Sequence, residues 1–230
     1  MPGAQGYLAA FDGAGQRQSD DSDVWKFHNK YVPRNRQYYQ GVATGGSHCF
    51  LVNIPPNFFN MWVGGPESAA ISHKALHDLT VFCQTPADRG LCVDTVAWSR
   101  GSFEAVDFDW LIYTHGIDDW STKSTINGTV QYAHIAVATR FTGLISPVGQ
   151  MGPGQQFYWH TDTPPGLAYL AQALDKYPIC IPFPETTMGA DKDTQVTNKR
   201  FKYPHDTIGF EDDVLTFLTA QAKKDGVPVK

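Results

Sequence analysis

The segment that most constrains the fold is an apolar strand pattern that runs directly into a turn and a helix. Leu91 to Trp98 form a near-continuous apolar run, which is typical of a strand buried on both faces of a parallel sheet. The tight turn Ser99-Arg100-Gly101 follows, and residues 102–113 have helical spacing. This succession predicts a strand–turn–helix unit of an α/β fold.

The same alternation recurs along the 230 residues. Apolar runs predict further strands at Tyr7–Phe11, Gln37–Val42 and His134–Ile145. Helices are predicted at Ile71–Phe82, Gly166–Lys176 and Glu211–Lys224. We therefore expect a mostly parallel sheet with helices on both faces, forming a single α/β domain over residues 1–230.

Composition and charge exclude several classes of protein. Hydrophobic residues make up 42% of the chain and aromatic residues 13%, enough for a packed core. The net charge is −5 without a run of basic residues, which argues against a nucleic-acid partner. No apolar stretch reaches about eighteen residues, and no signal-peptide pattern opens the chain. We expect a soluble protein, cytoplasmic or exported by a non-classical secretion system; its oligomeric state stays open.

The turn at Ser99 has the context of a nucleophile elbow. In such an elbow, small residues two positions before and after the nucleophile let a strained turn form. Ala97 and Gly101 are those residues here. The Arg100 N–H, at the start of the following helix, would then face an oxyanion. The pattern predicts Ser99 as a catalytic nucleophile.

A serine nucleophile needs a histidine base, which follows late in the chain in folds of this kind. His205 lies in a loop between a predicted strand and the last helix, and His160 is the alternative. His73 and His77 have metal-ligand spacing but lack the intervening glutamate of a zinc-binding helix, so metal binding is disfavoured. Serine–histidine chemistry requires no cofactor.

Five short motifs in this chain resemble, in order, those of a family of α/β-hydrolases. That family opens with Phe-Asp-Gly-Thr, carries Gly-Phe-Ser-Arg-Gly-Ala at its elbow and ends with a His-Ser-Asp-Ile-Gly-Gly loop. It includes the type VI secretion phospholipase effectors of the first lipase class. The matching segments are residues 11–15, 37–45, 97–102, 141–148 and 205–209. The resemblance implies an α/β-hydrolase-like fold.

Carried over by position, the resemblance implies that Ser99 is the nucleophile and His205 the base. It also places Asp12, Gly13 and Ala14 beside the active site, at the end of the first strand. A backbone N–H near Gly13 or Ala14 would complete the oxyanion hole, while Asp12 could hold the loop through its own backbone. The alternative interpretation of these residues is an ordinary turn.

Ser146 stands where the family has an aspartate that orients the histidine. A serine carries no charge to stabilise an imidazolium, so three hypotheses stay open. Asp162, a little further along the chain, could supply the carboxylate. Ser146 could orient His205 as a neutral acceptor, with slower turnover. Alternatively, the site could be degenerate and the protein a binding or structural module.

Residues 50–66 combine large apolar side chains with Pro, Asn and Gly. They are either a loop packed onto the core or an apolar cap over a substrate cleft, lined by Phe58, Phe59, Met61 and Trp62. We expect a serine hydrolase acting on a small ester or a lipid, with peripheral membrane contact. The lipid preference depends on the resemblance and on this apolar segment.

Overall fold

The structure is a computed structural model that describes residues 6–32, 35–42, 65–148, 160–176 and 186–230. The strands are β1 (Gly6–Phe11), β2 (Arg36–Tyr39), β3 (Cys92–Trp98), β4 (Ile117–Ile126), β5 (Thr129–Ile135), β6 (Ala138–Ile145), β7 (Tyr169–Leu174) and β8 (Gln195–Arg200). The helices are α1 (Asp23–Lys30), α2 (Gly65–Cys83), α3 (Gly101–His115) and α4 (Asp212–Lys224), with short 3-10 turns at Gln18–Asp20, Pro86–Asp88 and Ile208–Phe210. In these ranges no helix is long and apolar enough to cross a membrane.

Six strands form one sheet in the order β2-β1-β3-β6-β7-β8, and every neighbouring pair is parallel. The strand before Ser99 therefore lies in the interior of the sheet, as its apolar run predicts. β4 and β5 form a separate antiparallel hairpin. Asn127 and Gly128 both have positive φ at its tip, the conformation that tight hairpin turns require.

Side chains alternate between two cores on the two faces of the sheet. Along β1, Tyr7, Ala9 and Phe11 pack into one core, and Leu8 and Ala10 into the other. Helices α2 and α3 contribute to the first core, and α1 and α4 to the second. The predicted α/β fold with a mostly parallel sheet and helices on both faces is confirmed.

Two predicted elements were wrong. Gly166–Lys176, predicted as a helix, contains β7, because this segment is buried between β6 and β8 and its leucines and alanines pack into both cores. Such tertiary burial overrides helix propensity. The predicted strand His134–Ile145 breaks after Ile135, where the chain leaves the hairpin and enters the sheet.

Candidate active site

The candidate site lies at the carboxyl ends of the parallel strands. Asp12 directly follows β1, Ser99 follows β3, Ser146 follows β6 and Asp175 follows β7, while His205 lies in the loop after β8. Carboxyl ends of parallel strands meet at one edge of a sheet, which is where α/β proteins bind their ligands. Residues far apart in sequence are therefore neighbours in this structure.

Ser99 has the backbone of a strained elbow between β3 and α3. Its φ is +56°, a left-handed conformation that is uncommon for residues other than glycine. The Ser99 N–H donates to the Ile145 carbonyl at 2.8 Å, and the Ser99 carbonyl accepts from the Val148 N–H at 3.2 Å. These bonds hold the strained serine against the end of β6.

The two small residues that flank Ser99, Ala97 and Gly101, are under different steric constraints. A β-carbon on Gly101 would lie 2.5 Å from the Phe11 carbonyl oxygen and 2.6 Å from that of Asp12, so only glycine lets α3 start this close to β1. Ala97 is fully buried in β3 and is accommodated there. An alanine at this first small position is thus compatible with the elbow.

His205 joins Ser99 to Ser146. The Ser99 Oγ lies 2.8 Å from His205 Nε2, and the Ser146 Oγ lies 2.7 Å from Nδ1. Ser99 is partly exposed, the His205 side chain is 21% exposed and Ser146 is fully buried. This arrangement gives a hydroxyl that can be deprotonated, a base within hydrogen-bond reach and an orienting group behind the base, as nucleophilic catalysis requires.

The sequence analysis missed Asp175. Its Oδ2 lies 3.7 Å from His205 Nδ1, and its side chain is 1% exposed. The signal that could have found it was its place directly after a strand, but that strand was predicted as a helix. A correct assignment of β7 would have put Asp175 at the same sheet edge as Ser99 and Ser146.

Asp162, predicted as a candidate acid, makes its contacts elsewhere. Its carbonyl accepts from Trp110 Nε1 at 2.7 Å, and it forms a β-bridge with Gly189. His160, the alternative base, stacks on the Trp110 ring with a centroid distance of 4.1 Å. The structure thus brings Ser99, His205 and Ser146 together and places Asp162 and His160 with Trp110.

A buried carboxylate organises the loop after β1. Asp12 is fully buried and accepts hydrogen bonds from the Gly13 N–H at 2.9 Å, the Ser22 hydroxyl at 2.5 Å and the Tyr38 hydroxyl at 2.6 Å. Burial raises the pKa of Asp12, and the hydrogen bonds from Ser22 and Tyr38 oppose that rise. The Asp12 side chain therefore holds this loop by accepting a hydrogen bond from the loop backbone at Gly13.

The same loop passes directly beside Ser99. A β-carbon on Gly13 would lie 3.5 Å from the Ser99 Cβ, and one on Gly41 would lie 1.7 Å from the Gly13 carbonyl oxygen. Since Asp12 takes the Gly13 N–H, the Ala14 N–H, which donates to no acceptor among the described residues, is the better candidate for an oxyanion donor. Arg100, at the start of α3, supplies the other backbone N–H beside Ser99.

Two other sequence predictions concern the cap residues and the histidine pair. The cap residues Phe58, Phe59, Met61 and Trp62 lie outside the described residues. His77, one of the two histidines with metal-ligand spacing, packs on Trp120 with a ring-centroid distance of 6.1 Å. Within the described ranges, no three His, Cys, Asp or Glu side chains cluster as metal ligands would.

Ser99 has a left-handed backbone conformation between a central parallel strand and a helix, and His205 follows the last strand. This is the geometry of a nucleophile elbow on an α/β fold. No family model matches the sequence. The search of curated proteins likewise found no match.

Solved structures with a similar fold include two that cover nearly all of this chain. One is an uncharacterized protein from Pseudomonas aeruginosa, with a TM-score of 0.58 and 13% identity, covering 100% of this chain and 47% of that one. The other is the Tle1 effector bound to the VgrG spike of the type VI secretion system, with a TM-score of 0.50 and 16% identity, covering 91% of this chain and 51% of that one. The chain thus spans about half the length of each. At these identities the similarity shows the fold.

Proposed function

We propose that the protein is a serine hydrolase that cleaves carboxylic esters through an acyl-enzyme. The observation that carries this proposal is the 2.8 Å contact between Ser99 Oγ and His205 Nε2 at a left-handed elbow. A strained backbone at this position supports a functional role, because it costs stability unless the surroundings maintain it.

In the proposed reaction, Ser99 Oγ attacks the ester carbonyl carbon while its proton passes to His205 Nε2. The backbone N–H groups of Arg100 and Ala14 stabilise the negative charge on the carbonyl oxygen. His205 then gives the proton to the leaving alcohol. A water molecule, deprotonated by the same histidine, hydrolyses the acyl-enzyme and releases the acid.

We further propose a lipid ester as the substrate. The motifs that resemble the phospholipase-containing family and the fold similarity to a type VI secretion effector support this choice. Turnover of esters of increasing acyl length, with and without phospholipid vesicles, tests it. A preference for long acyl chains that vesicles enhance would support a lipase, whereas a preference for short soluble esters would leave only the esterase.

Labelling by a fluorophosphonate, which reacts with activated serines, tests the hydrolase proposal itself. We expect wild-type protein to be labelled and the Ser99→Ala variant to be unlabelled, with ester hydrolysis reduced about 10³-fold or more. Ser124→Ala, an exposed serine of the β4–β5 hairpin, is the matched control and should keep full activity. A folded Ser99→Ala protein that hydrolyses esters at the wild-type rate would contradict the proposal.

A further inference from the structure

Two different groups face the side of His205 that points away from Ser99. Nδ1 lies 2.7 Å from Ser146 Oγ and 3.7 Å from Asp175 Oδ2. For Nε2 to accept the Ser99 proton, the neutral ring must carry its own proton on Nδ1. At these distances that N–H donates to the Ser146 hydroxyl, since 3.7 Å is too long for a hydrogen bond.

Ser146 is well placed to orient the ring. It is fully buried, it has a left-handed φ of +42°, and its N–H donates to the Ala173 carbonyl at 2.7 Å. Its backbone is therefore fixed at the ends of β6 and β7, with the hydroxyl on His205. A neutral hydroxyl, however, adds no negative charge opposite the imidazolium that forms when the ring takes the Ser99 proton.

Asp175 places a carboxyl group close to the same side of the ring. It follows β7, and its carboxylate is almost completely buried against the ring. Coulomb attraction falls only as the inverse of distance, so at 3.7 Å about three quarters of the attraction at a hydrogen-bonding distance of about 2.8 Å remains. A buried carboxylate also favours a positive partner, because its own desolvation is then compensated.

We infer that Ser146 and Asp175 divide between them the work of a single triad aspartate: Ser146 orients His205 by hydrogen bonding, and Asp175 stabilises the imidazolium electrostatically. This inference rests on the proposed function. The Ser99 proton moves to Nε2 and no further, the Nδ1 proton stays on the ring, and Asp175 receives no proton. Both are positioning residues that act through His205.

Relocating the carboxylate tests this division. The variants are Asp175→Asn, Ser146→Ala and the double variant Asp175→Asn/Ser146→Asp, assayed for kcat and KM on p-nitrophenyl acetate, with Tm as a check of folding. We expect Asp175→Asn to lower kcat by about 10²- to 10⁴-fold with little change in KM, and Ser146→Ala to lower it about tenfold. The double variant should be at least about tenfold faster than Asp175→Asn, because its new carboxylate contacts Nδ1 directly.

The rescue is the decisive measurement, since a merely structural role of Asp175 would not be restored by a charge at position 146. Asp206→Asn is the matched control: it removes a carboxylate from an exposed residue next to His205 in the chain and should keep kcat within about twofold. If Asp175→Asn does not fold, Asp175→Ser, which leaves space for water, replaces it in both variants.

Three results would overturn the inference. One is an Asp175→Asn protein within about threefold of the wild-type kcat; another is a folded double variant no faster than Asp175→Asn; the third is a Ser146→Ala loss as large as that of Asp175→Asn. In each case wild-type labelling and turnover would leave the proposed hydrolase intact. A wild-type protein that neither labels at Ser99 nor hydrolyses esters overturns both.

Discussion

Two of the buried aspartates lie at opposite ends of the same sheet, and each faces a cationic or titratable partner. Near the start of β3, Asp94 accepts bonds from Arg140 Nε at 2.9 Å and Nη2 at 2.6 Å, and from the Tyr31 hydroxyl at 2.8 Å. At the carboxyl edge, Asp175 faces His205 Nδ1 at 3.7 Å. Both carboxylates are almost fully buried.

The two pairs differ in whether the partner of the aspartate can gain and lose a proton. Arg140 is permanently charged and bidentate, and it also donates to the Gly226 carbonyl at 3.1 Å, so this pair ties the sheet to the segment after α4. His205 can gain and lose a proton, and its other nitrogen faces Ser99. A close pair whose partner is permanently charged is suited to holding the fold. A more distant pair with a titratable partner is suited to catalysis.

The largest effect expected at the carboxyl edge is that of His205→Ala. It should lower ester hydrolysis about as much as Ser99→Ala, by about 10³-fold or more, and the double variant should lose little further, because the two residues act as one proton-transfer unit. Measuring kcat/KM of the three variants checks this, with the exposed His134→Ala as control. Substantial activity in folded His205→Ala would show that another group acts as the base.

At the opposite edge of the sheet, near the start of β3, Arg140→Met should lower the free energy of unfolding. It leaves Asp94 buried without its cation, which typically costs about 3–5 kcal/mol, while kcat of the remaining folded protein should stay at the wild-type value. Urea unfolding and active-site titration with a fluorophosphonate measure the two effects separately. A drop in kcat without a loss of stability would contradict the assignment of the Asp94–Arg140 pair to the fold rather than to catalysis.

Another buried carboxyl group, Asp109 on α3, sharpens the comparison because no cation pairs with it among the described residues. It accepts a hydrogen bond from the Thr142 hydroxyl at 2.8 Å, and burial raises its pKa from 3.8 to about 8. A raised folded-state pKa means that the folded protein holds the proton more tightly than the unfolded chain. Stability from this group is therefore full below about pH 4 and is lost as the pH rises through about 8.

Asp109→Asn should remove that dependence, whose slope is about 1.4 kcal/mol per pH unit at its steepest. Urea unfolding of both proteins between pH 5 and pH 9 would measure it. Equal slopes for wild type and variant would show that Asp109 is already ionised in the folded protein.

The smallest expected effect is that of Tyr38→Phe, which removes one hydrogen bond to Asp12 and keeps the ring that packs on Trp25. If Asp12 positions the loop after β1, which carries the proposed oxyanion donor Ala14, kcat should fall about tenfold with KM nearly unchanged. Tyr39→Phe is the control, because the neighbouring hydroxyl donates to Asp78 instead, at 3.1 Å. Equal kcat values for the two variants would show that the Asp12 bonds only support the fold.

Features encoded in contiguous residues could be predicted from the sequence. The strand before Ser99, the turn and the helix after it follow one another within residues 91–115, and the apolar run and small flanking residues indicate each step. The loop at Asp12-Gly13 was likewise placed at the end of β1. The close contact of Ser99 with His205 followed from the order of motifs, although its distance did not.

Features that depend on distant residues could not be predicted. β7 has helix-forming residues, and its identity as a strand arises from burial between β6 and β8. Asp175 faces His205 only because that strand is placed there, so the carboxylate was sought at Asp162 instead. The sequence by itself determined the elbow, since local backbone sterics and small side chains specify it. Only the tertiary structure decided which groups stand behind the histidine, because parallel strands bring together residues that the chain keeps far apart.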